Sequence, residues 1–182
     1  MGEKYQEIPK NLQDFIAAQK LFFVATASAK SYINLSPKGS DSLRVLSKNR
    51  VIWLNLTGSG NETAAHAEDG RMTIMFCAFA GSPMILRLYG KATAVHKNDK
   101  QWAQLYSLFP ANIGARQIFD LQVDLVQTSC GMAVPFFDYQ SERHQLDDWA
   151  SKKGGDGIAK YWQDKNAISL NGKPSKIKDK NL

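Results

Sequence analysis

Residues 51–79, VIWLNLTGSGNETAAHAEDGRMTIMFCAF, limit the possible folds more than any other stretch. Val51, Trp53 and Asn55 alternate with Ile52, Leu54 and Leu56, which is the period of a β-strand. Thr57-Gly58-Ser59-Gly60 breaks that strand. Ser59 and Glu62 then stand at capping-box spacing, so a helix is expected to begin near Asn61. Asp69-Gly70 closes it, and a second strand follows at once from Arg71. A strand that feeds a glycine turn and a helix start gathers free backbone N–H groups and a positive dipole end at one point, which suits an anion. The same pattern also serves a plain capped helix between two strands.

The remaining chain supplies strands that mostly follow one another through turns. Residues 21–27 and 32–35 read as a hairpin, with Pro37 and Gly39 ending the second strand. Ser36 and Lys38 stand at its mouth, a hydroxyl and a point charge, both suited to phosphate. Residues 84–96 alternate cleanly, with Gly90 marking a bend or bulge. In residues 116–128, Phe119, Leu121, Val123 and Leu125 alternate with Asp120, Gln122 and Asp124. Helices are expected over 9–20, 98–109 (capped by Asn98), 141–153 (stopped by Gly154-Gly155) and 156–165. Residues 41–49 fit no more than one helical turn. The order argues for an antiparallel barrel with helices at its ends, and against a doubly wound sheet.

Composition removes several function classes. The 182 residues carry a net charge of +6, part of it in Lys173, Lys176, Lys178 and Lys180, which read as a solvated, frayed tail. Basic residues are not interleaved with aromatics, so nucleic acid is not expected as a partner. No apolar run is long enough to span a bilayer, the N-terminus has no apolar leader, and cytoplasm is the expected compartment. Cys77 and Cys130 have no metal-ligand spacing to His66, His96 or His144, so each is expected as a buried thiol and no metal site is expected. No Ser/His/Asp order and no paired carboxylates at strand ends suggest hydrolysis.

Four motifs in this order, NLSPKG, WLNLTGSGNETAAH, RLYGKA and VQTSCGMAVPFF, resemble the pyridoxamine 5'-phosphate oxidase-like family of FMN-binding split barrels. The resemblance spans roughly residues 12–139. It implies a six-stranded antiparallel split β-barrel over residues 1–140, followed by a C-terminal helical extension and basic tail over 141–182. It further implies a homodimer with FMN at the interface and an FMN-dependent oxidoreductase acting on a small substrate. A flavin- or haem-binding module without turnover is the alternative. Carried over by residue, Ser36 and Lys38 lie near the phosphate or ribityl chain. Trp53, Leu54 and Asn55 run along the flavin through backbone groups. Ser59, Gly60, Asn61 and Thr63 face the phosphate, and Cys130 reaches the flavin from the partner chain. Two departures stand out. Asn61-Glu62 occupies the place of an Arg-Lys phosphate pair, with Glu62 expected to fold back as the capping-box partner. The late Trp-Gly-x-x-Arg motif is absent, Met132 standing at its Arg position, so oxidation of pyridoxamine phosphate itself is not expected.

Overall fold

A computed structural model describes residues 2–182. Eight strands form one antiparallel sheet: β1 (Lys4–Tyr5), β2 (Phe22–Thr26), β3 (Asn34–Lys38), β4 (Leu43–Ser47), β5 (Arg50–Leu56), β6 (Arg71–Cys77), β7 (Ile85–His96) and β8 (Ala115–Ser129). The path runs β3-β2-β6-β7-β8-β5-β4, with β1 added on β8. Its two end strands, β3 and β4, are consecutive in sequence and join through residues 39–42 without pairing, which is where the barrel is split. The expected six strands are thus joined by two short ones. One of them, β4, lies where no more than a helical turn was expected; its pairing with β5 supplies the order that its own sequence does not. Pro37 does not end β3. It pairs with Phe23 inside it, tolerated because β3 is an edge strand with no outer ladder needing an N–H.

Two apolar layers follow from the period-2 pattern. Inside the barrel, Trp53 stacks on Phe119 with ring centroids 4.7 Å apart, and Phe22 meets Trp53 edge-on at 6.3 Å. Helix α1 (Lys10–Ala18) buries Leu12 and Ile16 against this core. On the other face of β5, Ile52 and Leu54 pack with Ile118 and Val95 under helix α3 (Trp102–Tyr106). Helix α2 (Asn61–Asp69) follows β5 as its sequence indicates. Helix α3 is shorter than residues 98–109 and Asn98 does not cap it; its backbone N–H donates to Lys180, while Asp99 accepts the N–H of His96.

Helix α4 (Gln145–Lys165) starts four residues later than expected and is broken at Gly154, where φ is 67°. Its buried Trp162 packs with Ile158 and with Ile177 of a last helix, α5 (Ile177–Asn181). The C-terminus is therefore not frayed. Asn181 bonds the Nδ1 of His96 at 2.7 Å, and Lys180 reaches Asp99 at 3.5 Å. Among the described residues, no helix is long and apolar enough to cross a membrane.

Gly90 does mark a bulge. The register slips so that Tyr89 faces Leu125 while Gly90 faces Val123. Beyond the slip Val126, not Leu125, enters the core. A Cβ on Gly90 would lie 1.9 Å from the backbone oxygen of Gln122, which no rotamer change relieves. We predict that Gly90→Ala lowers stability by about 3 kcal/mol or more, as overpacking against backbone does. Urea unfolding checks this, and a shift below about 1 kcal/mol would contradict the bulge.

Candidate functional site

Ser36 and Lys38 are two residues apart on β3, so both point to one side of the strand. Helix α2 brings its first turn to the same side. There two of the side chains expected near a phosphate, Ser36 and Lys38, meet a group of the chain itself, the Glu62 carboxylate. Lys38 Nζ lies 2.7 Å from Glu62 Oε1. The Ser36 hydroxyl and the backbone N–H of Glu62 also favour the ionised form of this carboxylate. Glu62 is only 2% exposed. Burial pushes its pKa up, yet the Lys38 charge and these groups outweigh burial and hold it at about 2. Lys38 is further fixed 5.2 Å above the Trp53 ring.

This arrangement corrects the capping-box expectation. The residue before α2 is Gly60, in the left-handed region at φ 82°, and no side chain caps the helix. Ser59 Oγ accepts only a long 3.4 Å bond from the N–H of Asn61. Glu62 turns to Lys38 because a buried carboxylate gains more from an ammonium partner than from one backbone amide.

The other expected site residues divide between the barrel interior and the turn. Trp53 is buried, with its Nε1–H 3.3 Å from Met72 Sδ, and Leu54 points to the opposite face of β5. Asn55 and Thr63 both donate to Gln117 Oε1 at 3.1 Å, so Thr63 faces the interior and not the turn. Asn61 Oδ1 accepts the N–H of Leu170. Cys130 is exposed, not buried, and lies past the end of β8, with β7, β6 and β2 between it and β3. Arg87 bonds Ser129 Oγ at 2.8 Å. His66 sets its ring edge-on to Phe119 at 5.1 Å, and burial lowers its pKa.

Sequence reasoning missed Arg116 and Gln117. Arg116 is 1% exposed; its Nη1 donates to Gly58 O at 3.3 Å and to Asn166 Oδ1 at 3.0 Å, and its Nε to Gln117 Oε1. Burial lowers its pKa to about 10, against the stabilising pull of Glu62. Gln117 is in phase with Phe119 and Leu121, so the alternation of β8 held the signal for a buried polar residue. The C-terminal segment then closes the turn. Trp162 Nε1 donates to Thr57 Oγ1 at 3.0 Å, and Asn166 Nδ2 donates to the carbonyls of Gly58 and Ser59.

As the chain stands, these residues do not fit the phosphate of FMN. Of the donors assigned to it, Lys38 and Ser36 are drawn to a carboxylate, Thr63 is turned to Gln117, and Asn166 and Leu170 bond the turn.

Comparison with known proteins agrees with this fold. The family model for pyridoxamine 5'-phosphate oxidase matches residues 8–130. The pyridoxamine 5'-phosphate oxidase family protein ustO of Aspergillus flavus is 39% identical over 140 residues, 74% of this chain and 56% of that protein. The chain thus spans little more than half the length that relative would require. Among solved structures, a variant of HupZ from Group A Streptococcus superposes with a TM-score of 0.55 at 20% identity, covering 67% of this chain and 99% of that one. A Lactobacillus delbrueckii protein assigned provisionally as a pyridoxamine 5'-phosphate oxidase gives 0.54 at 15% identity, covering 67% and 94%. At such identities the likeness is one of fold.

The ion pair makes a stability prediction. Lys38→Met leaves a buried carboxylate unpaired and should cost about 3–5 kcal/mol, most of which Lys38→Met/Glu62→Leu should recover. Because the folded pKa of Glu62 lies below its ordinary 4.5, the pair's contribution is full above that pH and is lost as pH falls through about 2. The gap between wild type and Lys38→Met should shrink over that window. A single substitution costing under about 1 kcal/mol at pH 7, the level of an exposed pair, would contradict the arrangement.

Proposed function

The chain belongs to the pyridoxamine 5'-phosphate oxidase family, and we propose that it is a flavin-binding member working as a homodimer, with its ligand beside the Ser36–Lys38 end of β3. The observation that carries this reading is the convergence of Ser36, Lys38 and the start of α2 on one point at the split of the barrel, where the resemblance to the family expects the ligand. Exposed apolar side chains support a second copy. Tyr32, Ile33 and Leu35 stand out along β3 and its approach, leading directly into Ser36. Met132, Phe136, Phe137 and Tyr139 form a second exposed apolar stretch after β8. Patches of this kind on a small domain favour burial by another chain.

A bound flavin would supply any redox chemistry through its ring, and the chain's residues would hold and orient it. The polar side chains here favour holding over proton transfer. Lys38 and Ser36 are engaged by Glu62, and Asn55 and Thr63 by Gln117. We therefore read the protein as a flavin-binding module. Oxidoreductase activity on a small substrate is the reading that anaerobic reduction by NAD(P)H, followed by reoxidation, would put in its place.

The test titrates purified protein with riboflavin, FMN and FAD while following fluorescence, and measures mass by sedimentation. Saturable quenching by at least one flavin and the mass of two chains are expected. Failure with all three would overturn the flavin reading. A monomer that retains bound flavin would overturn the interface.

A further inference from the structure

We propose that Glu62 is a built-in substitute for a ligand's phosphate, so that the flavin this chain accepts is one without a terminal phosphate, of the riboflavin class. The inference rests on the flavin reading above and names its ligand class.

Four observations carry it. First, the seat is complete. Lys38 Nζ, the cation a phosphate would need, lies 2.7 Å from the Glu62 carboxylate, and the Ser36 hydroxyl and the Glu62 backbone N–H further favour its ionised form. Second, that carboxylate is inside the protein, 2% exposed, so it cannot yield the seat by a simple swing into solvent. Third, Lys38 cannot leave to follow a phosphate without giving up both Glu62 and its place over the Trp53 ring. Fourth, the other buried cation of the site is engaged within the chain. Arg116 is buried, and its Nη1 is held by Gly58 and Asn166.

A phosphate brought to this seat would meet an ionised carboxylate sharing its donors, and like charges on one donor set repel. The contacts that would reward a phosphate are made before any ligand arrives. A ligand that leaves this point alone loses nothing by lacking the group. Glu62 neutralises the Lys38 charge within the chain, so Lys38 needs no bound anion as its partner.

Two measurements test this on the purified full chain. In flavin titrations of wild type, riboflavin should bind at least as tightly as FMN. Glu62→Gln, which removes the charge while keeping the side chain's shape, should tighten FMN at least tenfold and leave riboflavin within twofold. In the second measurement, melting temperature is followed against inorganic phosphate, with chloride at matched ionic strength. Wild type should show no phosphate-specific rise, and Glu62→Gln should. FMN binding wild type more tightly than riboflavin would overturn the inference while the flavin reading stands. No binding of any flavin would overturn the flavin reading, and the phosphate melts would then decide the seat alone. A phosphate-specific rise in wild type would overturn the filled seat. Should Glu62→Gln not fold, both wild-type results still decide.

Discussion

The ion pair between Lys38 and Glu62 sets the terms for everything around it. It ties the edge strand β3 to the first turn of α2, two elements that backbone pairing does not connect. A pair this deep in the protein costs desolvation on both sides, and it persists because Ser36 and the amide of Glu62 also favour the ionised carboxylate. Around it the polar interior closes in a second tier. Gln117 collects Asn55, Thr63 and Arg116, and Arg116 hands the turn at Gly58 to Asn166. One charge placed at position 62 thus satisfies Lys38 from within the chain, while Gln117 keeps its Nε2 without a hydrogen-bond partner.

The C-terminal segment belongs to the same site. Trp162 and Asn166 bond the turn between β5 and α2, and Asn181 bonds His96 at the end of β7. The family model ends at residue 130, so these contacts come from a part of the chain that the family pattern does not describe. They join the extension to the barrel and leave the exposed apolar stretches at residues 32–35 and 132–139 uncovered.

Much of this was legible in the sequence. The alternation in β5, β7 and β8 gave those strands, because period-2 burial is written residue by residue, and Gly90 marked the bulge; past it the alternation misled, since Val126 and not Leu125 enters the core. The convergence of Ser36, Lys38 and the start of α2 was legible too. What fills it was not. Capping-box spacing describes Glu62 by its local neighbours, whereas its actual partner lies 24 positions away on another strand. Strand β4 was hidden for a similar reason, since its order comes from β5. The long helix expected over 98–109 lost its first turns to Asp99 and Lys180, tertiary bonds that local periodicity does not record. Buried Arg116 broke the general rule that arginine marks the surface, and only the phase of its neighbour Gln117 hinted otherwise.

The central claim is that the carboxylate of Glu62 occupies the anion seat in the ligand-free protein. The most direct measurement is a pH titration of the Glu62 side-chain carboxyl carbon by NMR on wild-type protein. The account predicts a midpoint near 2, with the signal moving toward ordinary values in Lys38→Met. A midpoint near 4.5 in wild type would show Glu62 free of Lys38 and the seat open.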